Sequence, residues 1–197
     1  MPATFYYDLM SPYAYLAAER AERVLPEAVE WQPVLLGGLF KLTGRSSWAL
    51  GDYERRRRGM AEIERRAAEY GLSPLRWPDR WPTSSLAAMR VAVHARQVGR
   101  EREFAAAAFL TAFVEGLDLG ELPNVLHAAE AAGLGPSSAE AAIDDPSVKD
   151  ELRRATDAAH ARGVFGVPTV AVGEELFWGD DRLEEAAAAM SRAGAAG

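Results

Sequence analysis

The sequence contains no cysteine among its 197 residues, and this absence narrows the chemistry that the chain can perform. Without cysteine there are no disulfides, no thiolate metal sites and no dithiol redox cycle. The usual inference from disulfides to an oxidising or reducing compartment is therefore not available for this chain.

Long apolar runs and an excess of basic charge are also missing. No apolar stretch approaches the roughly 20 residues that cross a bilayer, and the opening MPATFYYD lacks the pattern of a signal peptide. We therefore expect a cytoplasmic protein without membrane contact. The net charge of -7 argues against nucleic acid as the main partner, because phosphate binding needs a cationic face. The three histidines lie far apart in sequence, so no metal site is expected.

The chain opens with segments that alternate between strand and helix patterns. Residues 3–7, ATFYY, are typical of a short strand buried on both faces. An amphipathic helix is predicted from Tyr13 to Leu25. Residues 29–36 predict a second strand, which Pro33 interrupts and so places at an edge or a bulge. This β-α-β order usually makes parallel strands.

The remainder of the chain divides into a helical block and a second strand region. Between Tyr53 and Arg162 we predict only helices, ended by Gly71, Gly99, Gly116, Gly133 and Gly163. Residues 168–172 and 175–178 then predict a hairpin around Gly173-Glu174, and a closing helix follows.

The order β-α-β, helices, β-β-α predicts an α/β protein with a thioredoxin fold and a large all-helical insertion between its two halves. We assign residues 1–45 and 164–197 to the thioredoxin-like domain and residues 46–163 to the inserted helical domain. Strands from opposite ends of the chain must meet in one sheet, so both domains are expected to fold together.

Ser11-Pro12-Tyr13-Ala14 occupies the start of the first predicted helix. The simplest interpretation is a helix N-cap followed by proline at the first helical position. Thioredoxin-like oxidoreductases, however, carry Cys-Pro-x-Cys at this place and face it with a cis-proline loop, which Val167-Pro168-Thr169 matches here. Both cysteine positions are replaced, so dithiol-disulfide oxidoreductase chemistry is excluded. The capping role and a thiol-binding role both remain open for Ser11.

The version with serine and a helical insertion resembles the 2-hydroxychromene-2-carboxylate isomerases, a DsbA-like thioredoxin-fold family close to the kappa-class glutathione transferases. Five segments in the same order carry the resemblance over nearly the whole chain. They are FYYDLMSPYAYLA at 5–17, PVLLGGLFKLTG at 33–44, WPTSSLAAMR at 81–90, GVFGVPT at 163–169 and FWGDDRLE at 177–184.

This resemblance implies a homodimeric isomerase that borrows its thiol from glutathione and acts on a small aromatic substrate. Ser11 would orient the thiolate, aided by the positive end of its helix. The thiolate would add to an unsaturated aromatic oxo-acid, so that a double bond becomes a rotatable single bond. Lys41 and Arg45 would face the anionic substrate. The residues expected to hold glutathione are Val167, Pro168, Trp178, Gly179, Asp180 and Asp181.

Two positions depart from the family pattern. Asp180 stands where asparagine or serine is more usual, and its charge would repel a carboxylate of glutathione; Arg45 stands where asparagine is frequent. Another low-molecular-weight thiol therefore stays open as the cofactor. Two other functions also stay open, a kappa-like transferase that conjugates small electrophiles and a non-catalytic small-thiol-binding protein.

Overall fold

The strand predicted at the start of the chain lies inside a mixed sheet of four strands. In the computed structural model, which describes residues 3–195, the sheet order is β2-β1-β3-β4. Strand β1 (Thr4–Tyr7) is parallel to β2 (Glu30–Pro33) and antiparallel to β3 (Thr169–Val172), and β4 (Glu175–Trp178) closes the hairpin. The predicted edge position of the Pro33 strand is confirmed. A proline at this place removes no hydrogen bond from the interior of the sheet.

Helices cover the sheet and fill the middle of the chain. The first two are α1 (Pro12–Val24) and α2 (Leu36–Thr43). Six more lie between β2 and β3, and one follows the hairpin: α3 (Tyr53–Glu69), α4 (Leu86–Gln97), α5 (Glu101–Phe113), α6 (Leu122–Ala131), α7 (Pro136–Asp144), α8 (Pro146–Ala161) and α9 (Leu183–Ala195). All five glycines predicted to follow helix ends have positive φ, a conformation that glycine adopts without steric penalty. The thioredoxin order with a helical insertion is confirmed.

The predicted second strand was too long, and α2 was missed. Strand β2 ends at Pro33, and α2 begins at Leu36 although Gly37 and Gly38 are poor helix formers. The N–H groups at this helix start are bonded by distant side chains. The Thr156 hydroxyl accepts from the Leu35 N–H at 3.0 Å, and the Asp8 carboxylate accepts from the Leu36 N–H at 2.8 Å. Tertiary contacts thus override local propensity here.

The larger of two hydrophobic clusters contains buried residues of both proposed domains. Tyr7 of β1 lies 6.2 Å from Phe109 of α5, and Tyr15 of α1 lies 5.5 Å from Phe113, measured between ring centroids. All four are almost completely buried. Aromatic pairs at such separations contribute about 0.5–1.5 kcal/mol each beyond the area they bury. The helical insertion is therefore held against α1 and the sheet.

Across residues 3–195, no helix combines the length and the apolar character that a membrane span requires.

Candidate functional site

Ser11 is the N-cap of α1 and at the same time faces the loop before β3. Its hydroxyl oxygen accepts from the Ala14 N–H at 3.2 Å, the capping bond that the sequence predicts. The same hydroxyl donates to the Val167 carbonyl at 3.4 Å, a long hydrogen bond. Ser11 is only 4 % exposed. The structure thus brings together the two segments that the sequence paired, and capping leaves the hydroxyl proton free to point across the site.

The loop opposite Ser11 contains the predicted cis peptide bond between Val167 and Pro168. Along the described part of the chain, the Val167 N–H has no hydrogen-bond partner, whereas the Pro168 carbonyl accepts from the Gly179 N–H at 3.0 Å. Gly166 leaves room for the Trp178 indole, because a Cβ added there would lie 2.7 Å from its Nε1. The loop therefore presents main-chain groups toward Ser11 and packs against Trp178.

Ser11 and Val167 line a cleft of about 440 Å³, hereafter the Ser11 cleft. Its walls also contain Asp8, Tyr13, Leu36, Arg45, Trp48, Trp81, Ser85, Phe165 and Trp178. On one side of the cleft the ring centroids of Trp48 and Trp81 lie 5.4 Å apart. On the other side the ring centroids of Phe165 and Trp178 lie 4.9 Å apart. Sequence reasoning assigned no role to Trp48 or Trp81. The cis bond between Trp81 and Pro82 was also missed. The cleft offers aromatic faces suited to a flat, apolar ligand.

The two cations expected to face the substrate occupy different places. The Arg45 guanidinium lies in the Ser11 cleft, 4.2 Å from the centre of the Phe165 ring, a cation–π contact that holds the charge near the cis-proline loop. Lys41 instead lines a neighbouring cavity of about 540 Å³ between α2, α4 and α8. The two cavities share Leu35, Gly38 and Leu86 as a common wall. The structure brings Arg45, but not Lys41, to Ser11.

Asp8 is a buried carboxylate of the cleft that sequence reasoning missed. It is 2 % exposed and accepts hydrogen bonds from the Met10 N–H at 2.9 Å, the Leu36 N–H at 2.8 Å and the Ser85 hydroxyl at 3.2 Å. Burial raises the pKa of the Asp8 carboxyl above its ordinary value, although these hydrogen bonds oppose the shift. The available signal was an aspartate directly after a short strand with three consecutive aromatic residues, where a carboxylate is easily buried.

Asp180 and Asp181 face in different directions. Asp180 is 1 % exposed, and its carboxylate accepts from Arg66 Nη1 and from the Tyr70 hydroxyl, both at 2.9 Å. Burial raises the pKa of Asp180, while Tyr70 and Arg66 oppose that rise. The Asp181 side chain is 58 % exposed, with its carboxylate 3.6 Å from Arg66. The negative charge that the sequence placed at 180 is therefore paired with a cation from the inserted helices.

The sheet order, the cis-proline loop and the helix capped by Ser11 define a thioredoxin-fold protein with serine where thioredoxin-like oxidoreductases carry their first cysteine. The sequence model of the DSBA-like thioredoxin domain family matches residues 3–191, so the chain belongs to this family. The resemblance drawn from the five sequence segments is thereby confirmed at the level of family and fold.

Within this family the chain is similar to proteins of two named groups. The chain is 29% identical over 191 residues to 2-hydroxychromene-2-carboxylate isomerase of Sphingobium xenophagum, covering 91% of this chain and 93% of that protein. It is 27% identical to human glutathione S-transferase kappa 1, covering 91% and 86%. A solved structure of a 2-hydroxychromene-2-carboxylate isomerase matches with a TM-score of 0.82 at 24% identity, covering 98% and 96%. The chain is thus similar to both groups over nearly its full length.

Proposed function

We propose that the chain is a glutathione-dependent cis-trans isomerase of 2-hydroxychromene-2-carboxylate-type aromatic oxo-acids. One observation carries the proposal: in a chain without cysteine, the Ser11 hydroxyl faces the cis-proline loop inside an aromatic cleft. The isomerase and kappa transferase relatives support the same chemistry at 29% and 27% identity. A thiol brought by a small cofactor supplies what the protein lacks.

The residues around Ser11 fit such a thiol. The unpartnered Val167 N–H and the carbonyl beside it offer a donor and an acceptor for a peptide-like cofactor. The Ser11 hydroxyl makes only a 3.4 Å bond to that carbonyl, so it loses little when it donates to sulfur instead. When bound, glutathione supplies a thiolate that adds reversibly to the substrate double bond and allows rotation about it. Ser11 and the start of α1 stabilise the negative sulfur.

The walls of the cleft suit the ring and the carboxylate of the aromatic substrate. Trp48 and Trp81 offer faces for a planar ring, and Arg45 offers a cation for the substrate carboxylate. Lys41 lies beyond the wall of Leu35 and Leu86, so we assign it a long-range electrostatic contribution rather than a contact.

For the γ-glutamyl end of glutathione we propose the segment that follows β4. Asp181 is the exposed carboxylate that would receive the ammonium group, and Trp178 and Gly179 shape the approach to it. Asp180 is turned inward and has a positioning role. Its carboxylate holds Arg66, and its main-chain carbonyl accepts a hydrogen bond from Arg20. The homodimer and the cytoplasmic location belong to the same proposal, and light scattering of the purified protein measures the former.

A kappa-like transferase is the second candidate. The cleft has exposed apolar side chains at its mouth, Leu50 at 72 % and Trp178 at 49 % exposure, which would let a bulky conjugate leave. The two activities differ in the fate of the thiol, because an isomerase regenerates it and a transferase consumes it. Thiol titration during turnover distinguishes them.

The decisive assay incubates the purified chain with 2-hydroxychromene-2-carboxylate, with and without glutathione, and follows the absorbance of the ring-opened product. Ser11→Ala should lower kcat/KM roughly 10- to 150-fold, since a hydrogen bond to a charged group is worth about 1.5–3 kcal/mol. Its capping loss should lower the free energy of unfolding by only about 0.5–2 kcal/mol.

Asp52→Ala is the matched control for this assay. Asp52 caps α3 through a 2.8 Å bond from the Arg55 N–H and does not line the cleft. It should show a similar loss of stability with unchanged turnover. Absence of any thiol-dependent acceleration would eliminate the isomerase, and glutathione binding without turnover of chromene or aryl halide would identify a non-catalytic thiol-binding protein.

A further inference from the structure

Asp8 is a buried titratable group inside the Ser11 cleft that the proposed function leaves unused. Its main-chain carbonyl accepts from the Ser11 N–H at 3.0 Å, so the two residues share one tight turn. Asp8 and Ser11 both line the Ser11 cleft. A carboxylate held in this position lies within the electrostatic reach of any ligand that binds there.

Neutral donors surround this carboxylate. The β1–α1 turn contributes the Met10 N–H, α2 contributes the Leu36 N–H, and the residue before α4 contributes the Ser85 hydroxyl. Throughout residues 3–195, no Lys, Arg or His nitrogen lies within ion-pair distance of it. Oδ2 receives two of the three hydrogen bonds and Oδ1 only one. Oδ1 therefore keeps an acceptor position in which a proton can sit.

Few other ionisable groups face Asp8. Tyr7 precedes it on β1, and burial raises the pKa of that phenol. Across the cleft stand Tyr13, whose pKa burial also raises, and the Arg45 guanidinium, which stacks on Phe165. No buried cation is thus at hand to keep Asp8 ionised once a second negative charge arrives.

Thiol binding creates that second charge. A thiol has an ordinary pKa near 8.5, so at neutral pH it must lose a proton to become the thiolate. The Ser11 oxygen already accepts from the Ala14 N–H, and its hydroxyl is needed as a donor. Two negative groups in one buried site raise each other's proton affinity. The Ser11 hydroxyl and the start of α1 stabilise the negative sulfur, whereas burial disfavours the ionised Asp8 carboxylate, so the proton is left to Asp8.

We propose that Asp8 takes up the proton released when a thiol ionises beside Ser11 and holds it while the thiolate stays bound. The S–H bond breaks heterolytically, sulfur keeps the electron pair, and the proton ends on the Asp8 carboxylate. It returns to sulfur when the thiol leaves, and nothing is oxidised or reduced. The inference rests on the proposed thiol binding at Ser11.

Calorimetry of glutathione binding tests this assignment without any turnover. The titration is run at neutral pH in two buffers that differ in ionisation enthalpy, and the ultraviolet absorbance of the bound thiolate is read in parallel. In the wild-type protein we expect bound thiolate with no net release of protons. In Asp8→Asn we expect one proton released per thiolate formed, or a fall in the thiolate fraction.

Asp8→Asn could fold poorly, since the NH₂ group of the new amide would face at least one N–H donor. A second variant keeps the test decisive in that case. Ser85→Ala removes one hydrogen bond to the ionised carboxylate and should move proton uptake to higher pH, because it raises the pKa of Asp8. Release of a full proton by the wild-type protein, with thiolate bound, overturns the inference alone. Absence of thiol binding overturns the proposed function and the inference with it.

Discussion

Arg66→Met is expected to leave the Asp180 carboxylate without its cation in the protein interior. Asp180 is 1 % exposed and Arg66 22 %, and their 2.9 Å ion pair connects α3 with the segment after β4. Tyr70 continues to donate to Asp180 in the variant. The substitution keeps most of the side-chain volume of Arg66 and removes its charge, so the loss reports on electrostatics more than on packing.

Removing one partner of a fully buried ion pair costs about 3–5 kcal/mol. Because Arg66 is partly exposed and Tyr70 remains, we expect Arg66→Met to lower the free energy of unfolding by about 2–3 kcal/mol. Arg65→Met is the matched control on the same helix. Arg65 pairs with Glu62 and Glu69 in solvent at 54% exposure, and exposed pairs contribute only about 0–1 kcal/mol.

The loss should depend on pH with a defined sign. Burial raises the pKa of Asp180 in the folded state, whereas the unfolded value is about 3.9. The folded state then binds the proton more tightly, so stability falls as pH rises from about 4 through the folded pKa. Without Arg66 the folded pKa rises further. The difference in free energy of unfolding between Arg66→Met and the wild-type protein should therefore be smallest in acid and should grow toward neutral pH.

Urea unfolding followed by far-ultraviolet circular dichroism, at about pH 4 and about pH 7, measures both effects. The double variant Arg66→Met/Asp180→Asn should be more stable than Arg66→Met at neutral pH, because it removes the unpaired charge. Equal losses for the Arg66 and Arg65 variants, or a double variant less stable than the single one, would refute the reasoning.

Three further predictions concern packing. Gly59→Ala would place a Cβ 2.2 Å from Trp48 Cζ3. We expect overpacking to lower the free energy of unfolding by about 1–3 kcal/mol and to change the tryptophan emission, and an unchanged spectrum would contradict this contact. Gly166→Ala pushes against Trp178, which is half exposed and can move, so kcat/KM should fall while the urea midpoint barely changes. Phe109→Ala empties a fully buried site that both domains share. It should lower the free energy of unfolding by about 3–5 kcal/mol and keep one transition, whereas two transitions would show domains that unfold separately.

The sheet and the long helices could be predicted because their signals are local. Five consecutive residues of apolar or strand-forming character gave β1, and the fully buried residues 4–7 confirm it. Pro33 indicated an edge strand, since a proline removes a ladder donor. The pairing of Ser11 with Val167 followed from the resemblance to thioredoxin-like oxidoreductases, in which a cis-proline loop faces the start of the first helix, and the contact between the two residues agrees with it.

Features that depend on distant partners could not be predicted in this way. Helix α2 starts where Thr156 and Asp8 bond its first N–H groups, and neither contact leaves a trace in residues 33–44. Lys41 sits near the end of that helix and lines the neighbouring cavity, a placement that the family pattern alone does not indicate. Asp8 itself has the sequence context of an ordinary turn residue.

Asp180 shows why a substitution judged from its own position can mislead. Taken alone, a carboxylate in place of asparagine or serine adds a negative charge where glutathione would bring a carboxylate. In the folded chain the compensating Arg66 lies 114 residues away in sequence and 2.9 Å away in space. The Arg66 guanidinium offsets part of the Asp180 charge. The same guanidinium also pairs with Glu62 at 2.8 Å and with Asp181 at 3.6 Å. The charge at position 180 is therefore partly compensated inside the protein, and Asp181 stays exposed beside it.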